Sequence, residues 1–257
     1  MILDDVIAAY RAMGVQCGDV IEVSSDVRGM VMRMRHESKM RGSSPKSFEG
    51  YMDAIIDALQ NLVGCTGTLL FPTYTWGFCK GETWDYEQTC GETGLLSNQA
   101  LSRDEFRRTK HPIYSFAVWG RDRDLLVSLE NKDSFGADSP FAYLHEKGKF
   151  NISLGAASFF TFTHYVEQCS HVDYRYTKDF TARYTINGKT DLRTYSMMVR
   201  ILEPQEVLTI PAESSDLLYG WGLQEKTMEG ILLRAIEFRK AYDRISWDIQ
   251  SNGAKHI

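Results

Sequence analysis

Cysteine is sparse and forms no pattern. Cys17, Cys65, Cys79, Cys90 and Cys169 are odd in number, scattered, and never spaced as C-x-x-C. Neither a disulfide framework nor a zinc ribbon follows from that arrangement, and five reduced thiols in a cytoplasmic protein are expected. No apolar stretch is long enough to span a bilayer. The chain does not open on a basic segment followed by an apolar run, so no secretory signal is expected. Positive charge is not in excess: the net charge is -5 at neutral pH, which argues against nucleic acid or an anionic membrane as the main partner. The sequence also has no P-loop, no G-x-G-x-x-G and no H-E-x-x-H. That removes the familiar phosphate cradle, the dinucleotide turn and the zincin helix.

What remains is an ordinary globular composition. Of 257 residues, 43% are hydrophobic and 25% charged, enough to bury a sizeable core. No repeat, low-complexity segment or interdomain linker interrupts the chain, and a single domain over 1–257 is expected, with a tail that frays after about 247.

Local patterns alternate between helix and strand. Leu3, Val6, Ile7 and Tyr10 recur at helical spacing and stop at Gly14. Val20-Ile21-Glu22-Val23 reads as a short strand ending in Ser24-Ser25-Asp26. Hydroxyls at that place meet ligands in α/β proteins, and they also cap helices. From Met30 to Ser44 the chain carries its densest positive charge, with Arg33, Arg35, His36, Lys39 and Arg41 following Arg28. This is either a solvated face or loop, or a set of cations for phosphates. Ser44-Pro45 signals a helix start, and Phe48 to Val63 has one apolar stripe. Thr68 to Phe71 is a buried strand stopped by Pro72.

Thr73 to Gly94 reads as a long loop, of the kind that is often functional. Leu95 to Phe106 is expected to be helical and Ser115 to Trp119 to be a strand. Leu125 to Leu129 fits either form. Phe150 to Leu154 is a strand ending at Gly155. Asn187-Gly188 predicts a hairpin between Asp179–Ile186 and Gly188–Asp191. Glu206 to Ile210 is a further strand, and Gln224 to Tyr242 has the spacing of a terminal amphipathic helix. Alternating strands and helices point to layers around one sheet, and the hairpin makes a purely parallel sheet unexpected.

The candidate chemistry sits in Phe159-Phe160-Thr161-Phe162-Thr163-His164-Tyr165-Val166-Glu167-Gln168. On a helix His164 and Glu167 share a face. A carboxylate there fixes the imidazole's tautomer and stabilises it once protonated, giving a general base with its orienter. The same spacing also serves a structural hydrogen bond. His171, seven residues after His164, would share that face if the helix continued, but nothing else suggests a metal and none is expected.

Four further blocks accompany this one: Gly18-Asp19-Val20, Gly67-Thr68-Leu69-Leu70-Phe71-Pro72-Thr73-Tyr74-Thr75, Lys110-His111-Pro112-Ile113-Tyr114-Ser115-Phe116, and Phe135-Gly136-Ala137-Asp138-Ser139-Pro140. In this order they resemble the aminoglycoside 3-N-acetyltransferase family over roughly residues 15 to 190. The resemblance implies a three-layer α/β/α fold with a mixed central sheet. It implies an acyl-CoA-dependent N-acyltransferase with direct transfer in a ternary complex, with His164 and Glu167 as the catalytic pair. It places Ser24, Ser25, Thr73, His111, Ser115 and Phe116 on the acyl-CoA side. Tyr74, Trp76, Asp138, Ser139 and Phe160 are expected on the acceptor side. The partners implied are a small-molecule amine and acyl-CoA, with no nucleic acid and no membrane; a homodimer is left open.

Two departures from the family pattern bear on the acceptor. Val23 stands where many members have His, and Ser158-Phe159-Phe160 replaces a polar Asp-x-Asn stretch before the base. Aromatic rings stack on nucleobases and arginines pair with phosphate. An amino sugar on a nucleoside diphosphate is therefore the expected acceptor, with an aminoglycoside as the alternative.

Overall fold

The computed structural model describes residues 2–155, 160–201 and 217–254. Its centre is parallel: β1 (Val20–Ser25) lies between β2 (Thr68–Pro72) and β6 (Phe150–Leu154), with Ile21 opposite Leu69 and Phe150. Antiparallel strands extend both sides. β5 (Phe116–Gly120) pairs with β2, and the two-residue β4 (Arg107–Arg108) with β5. β10 (Ile231–Glu237) pairs with β6, and β9 (Gln224–Met228) with β10. The resulting mixed sheet has seven strands in the order β4-β5-β2-β1-β6-β10-β9.

Strand alternation divides the core in two. Ile21, Val23, Leu69, Phe71, Ile152 and Leu154 face one layer made by α1 (Ile2–Ala12), α2 (Arg28–Met40), α3 (Phe48–Val63) and α4 (Leu95–Leu101). Val20, Leu70, Phe116 and Val118 face the other. There α5 (Arg123–Ser128) contributes Leu126, and α6 (Pro140–Lys147) contributes Phe141 and Leu144. α7 (Phe162–Cys169) adds Phe162 and Val166, and α8 (Phe238–Asn252) adds Phe238, Ala241 and Ile245. This is the expected three-layer arrangement around a mixed sheet. Beside the second layer, β7 (Arg175–Ile186) and β8 (Lys189–Arg200) form a hairpin joined by the short β3 (Trp84–Asp85).

Several element boundaries differ from the sequence expectation for local reasons. The spacing of Met228, Ile231, Leu232, Ala235 and Phe238 suits a helix, but Gln224–Glu237 is a hairpin and only α8 beyond it is helical. Glu229 and Gly230 both take positive φ, 47° and 78°, the left-handed pair of a tight hairpin turn. Ile231, Leu233 and Ala235 then point inward at a period of two. α8 continues past Trp247. It runs to Asn252, buries Asp248, and ends where the Gly253 N–H donates to the Asp248 carbonyl.

α3 is capped by Ser47, whose hydroxyl accepts from the Gly50 N–H at 3.0 Å, and not at Ser44-Pro45. α4 ends at Leu101, short of the buried Phe106. The Asn187-Gly188 turn is present, with φ 51° and 70°, but its strands run to twelve residues each. The predicted strand Glu206–Ile210 lies outside the described residues. Among the described residues no helix is long and apolar enough to cross a membrane.

Candidate functional site

Parallel pairing brings the carboxyl ends of β1, β2 and β6 to one edge of the sheet. Because β5 runs the other way, its start lands there as well. Ser24, Ser25, Thr73 and Ser115 therefore gather at that edge, the usual ligand side of such sheets. Gly155 closes β6 at φ 75°, and a Cβ there would lie 2.3 Å from the Asp26 carbonyl oxygen. Only glycine permits the two strand ends to meet so closely.

α7 follows β6 and carries the candidate base. Phe162, Tyr165 and Val166 face the core, which turns His164 and Glu167 toward the loop that holds Phe135 and toward β7. His164 Nδ1 lies 2.6 Å from Glu167 Oε2. The His164 side chain is 31% exposed and that of Glu167 fully buried. Such a carboxylate accepts the Nδ1 proton and leaves Nε2 as the free, basic nitrogen. Phe135 packs edge-on against the ring at 5.9 Å.

Sequence reasoning missed the third member of this group. Arg175, the first residue of β7, places Nε 2.8 Å from Glu167 Oε1. Burial pushes the Glu167 carboxyl up, but His164 and Arg175 outweigh burial and hold it below the usual carboxylate range. No spacing rule links Glu167 to Arg175, because a turn and a change from helix to strand lie between them. His171, considered as a metal partner, falls past the helix end in a left-handed turn. Among the described residues no group of three or more His, Cys, Asp or Glu side chains converges on a metal position.

The residues expected on the acyl-CoA side divide sharply. Thr73 and Ser115 have no exposed surface. Their hydroxyls lie 2.9 Å apart, and Arg108 Nε donates to Ser115 Oγ at 2.9 Å. Arg108 Nη2 donates to the Thr73 carbonyl at 3.0 Å, and the guanidinium stands over the Trp84 ring. His111 is equally buried. Its Nδ1 accepts from the Ile113 and Tyr114 N–H groups at 3.3 and 3.2 Å, so Nε2 carries the proton and faces the Lys132 carbonyl and the Ser134 hydroxyl. Burial pushes the imidazole down to about 3. Phe116 packs among Tyr74 and Phe141. The His-Pro-x-x-Ser-Phe block is thus a structural knot. It braces the loop that delivers Phe135 to His164, since the Ser134 N–H and hydroxyl also bind the Ser196 carbonyl on β8.

Ser24 and Ser25 close β1. The Ser25 hydroxyl is buried without a hydrogen-bond partner among the described residues. A buried orphan hydroxyl at the ligand edge fits a polar ligand atom there. Of the acceptor-side residues, Ser139 is the cap of α6, accepting from the Ala142 N–H at 3.2 Å. The Tyr74 hydroxyl donates to Glu22 at 3.2 Å. Phe160, half-buried, packs against the core rings of Phe162 and Phe238, and Phe159 lies outside the described residues. Trp76 is partly exposed and Asp138 exposed. The cations of α2 and its C-cap point outward: Arg41 pairs with Glu37 at 2.9 Å and Arg33 with Glu229 at 3.7 Å.

A buried polar row also went unread. Glu22 is 2% exposed, and the Asn151 amide donates to it at 3.0 Å. Burial pushes this carboxyl up to about 7. The signal was present in Val-Ile-Glu-Val-Ser and Phe-Asn-Ile-Ser-Leu, where period two puts Glu22, Ser24, Asn151 and Ser153 on one face.

This fold has been seen before. The structure aligns with that of sisomicin-bound AAC-VIa over 97% of this chain and 98% of that one, with a TM-score of 0.76 at 18% identity. AAC-IIIb, solved as a binary complex with CoASH, aligns over 97% and 96% with a TM-score of 0.76 at 17% identity. The SPbeta prophage-derived aminoglycoside N(3')-acetyltransferase-like protein YokD of Bacillus subtilis (strain 168) is 26% identical over 126 residues. That match takes in 40% of this chain and 46% of YokD, so it spans about half the length of the curated relative. The family model for aminoglycoside 3-N-acetyltransferase matches residues 38–245. The chain belongs to the aminoglycoside 3-N-acetyltransferase family.

Proposed function

We propose that this protein is an acetyl-CoA-dependent N-acetyltransferase whose acceptor is an amine of an aminoglycoside. Membership in the family carries the reading, and the His164–Glu167 pair gives it chemistry. In this account acetyl-CoA supplies the activated acyl group as a thioester. Nε2 of His164 takes the proton from the attacking amine as the N–C bond forms and the C–S bond breaks. The imidazolium then returns that proton to the departing thiolate sulfur. Glu167 stays ionised throughout, fixes the ring and stabilises its charged form. Ser25, at the end of β1, has a buried hydroxyl without a partner among the described residues and could bond the cosubstrate. Asp138, exposed and three residues after Phe135, offers a carboxylate to a polycationic acceptor.

A nucleotide-linked amino sugar, the acceptor expected from Phe159, Phe160 and the α2 arginines, has less support. The half-buried Phe160 ring packs on Phe162 and Phe238, and Arg33 and Arg41 pair with carboxylates. The test is thiol release from acetyl-CoA with a panel of amines. Turnover of kanamycin- or gentamicin-like compounds is expected. Turnover confined to nucleotide-linked amino sugars would overturn the assignment of the acceptor.

A further inference from the structure

We infer that Arg175 is a positioning residue of the transfer site, one that locks Glu167 between a guanidinium and the His164 imidazole and so sets the pH range in which the base is free. The inference rests on His164 being the base. Its foundation is the geometry of one carboxylate. Glu167 has no exposed surface, and its two oxygens are divided: Oε2 lies 2.6 Å from His164 Nδ1 and Oε1 2.8 Å from Arg175 Nε.

A buried anion must be compensated. Before reaction the imidazole has to be neutral, since a protonated ring cannot accept the amine's proton. The resting charge of Glu167 is therefore balanced by Arg175. Without that guanidinium the orphaned carboxylate would hold a proton on the imidazole, or take one itself. In either case the free base would be lost near neutral pH.

Other groups among the described residues face this cluster, and none of Asp133, Tyr114, Tyr174, His171, Asp173 or Arg200 replaces Arg175. Asp133 on the neighbouring loop is negative and already bonded by the Gln168 amide and the Phe135 N–H. Tyr114 and Tyr174 are phenols that burial pushes up, Tyr114 to about 12, so they are neutral. His171 and Asp173 lie exposed on the turn that leaves α7. Arg200 stands opposite Arg175 in the hairpin register, and Arg175 Nε lies 2.8 Å from Glu167 Oε1. Arginine suits the position because its charge is fixed at any working pH. Being the first residue of β7, it also fixes α7 to the hairpin.

The pH dependence of kcat/KM for Arg175→Gln, Arg175→Lys and the double variant Arg175→Gln/Glu167→Gln tests this. In Arg175→Gln the acidic limb should move to higher pH by about one unit, with activity recovering in alkaline buffer and the KM for acetyl-CoA little changed. Arg175→Lys should keep the limb near its wild-type position. In the Glu167→Gln background, loss of Arg175 should leave the limb where Glu167→Gln alone puts it. The double variant leaves no buried charge orphaned, so it serves if Arg175→Gln does not fold. An even loss of rate at every pH, or the same shift in the Glu167→Gln background, would overturn the inference. If His164→Asn retains wild-type turnover, the base assignment fails instead. An inactive His164→Asn beside an unmoved Arg175→Gln limb refutes Arg175 alone.

Discussion

The Thr73 and Ser115 hydroxyls lie 2.9 Å apart in the interior, and one buried cation, Arg108, donates to the Ser115 hydroxyl and to the Thr73 carbonyl. Burial pushes that guanidinium down to about 10. It is held by neutral oxygens and an aromatic face, so each acceptor matters. Two residues that looked like ligand contacts are thereby braces for the strand ends beneath the site.

Ser115→Ala should therefore act on stability. Removing the acceptor of Arg108 Nε should cost about 1–3 kcal/mol, read as a lower urea midpoint. The apparent KM for acetyl-CoA of the folded enzyme should stay within about twofold. A raised KM with unchanged stability would instead put Ser115 against the ligand.

His111 gives a pH test. Its folded value, about 3, lies below the ordinary imidazole range, so the folded state binds fewer protons than the unfolded one. The stability tied to the neutral ring is fully present above about pH 6.5 and is lost as the pH falls below it. His111→Gln should be less stable than wild type at pH 8, with a gap in melting temperature that narrows toward pH 5. A gap of constant size would contradict a buried neutral imidazole.

Glu22 should behave in the opposite sense. Its folded value, about 7, is above the ordinary carboxyl range. The folded state holds the extra proton, so this group's contribution is fullest below about pH 4.5 and declines as the pH rises through 7. The decline is of order 3 kcal/mol. Glu22→Gln keeps an acceptor for Tyr74 and removes the charge. It should melt above wild type at pH 8 and near it at pH 5, and a variant less stable than wild type at both values would refute this.

How much of this could be read from the chain depended on whether the signal was local. The β1 and β6 strands, the α3 stripe, the Asn187-Gly188 turn and the His164–Glu167 pair all lie within a few residues of their cause. The Gln224–Glu237 hairpin was misread because Ile231, Leu232, Ala235 and Phe238 satisfy a helical period, and the two-residue Glu229-Gly230 turn was the only contrary mark. Arg175, Arg108 and the His111 knot were invisible in their roles, since each works through partners brought close by tertiary packing. The aromatic pair before the base shows the reverse hazard. Phe160 resembles a stacking platform in sequence and, half-buried, packs on the core rings Phe162 and Phe238 in the fold.

Glu167→Gln should reduce turnover by about tenfold, less than loss of His164, because in the proposed mechanism the carboxylate orients and stabilises the imidazole without taking the amine's proton. Acetyl-CoA binding should persist, measured as the ligand-induced rise in melting temperature. A Glu167→Gln loss larger than that of His164→Asn would reverse the two roles.

The most direct measurement is turnover of His164→Asn at neutral pH, followed as thiol release from acetyl-CoA with an aminoglycoside acceptor. The change removes Nε2 as a proton acceptor and keeps a polar side chain beside Glu167. Turnover should fall by about 10²-fold or more. Thermal stabilisation by CoA should remain near that of wild type, roughly 2.7 kcal/mol at 100 times the dissociation constant. Wild-type turnover in this variant would contradict the assignment of His164 as the base.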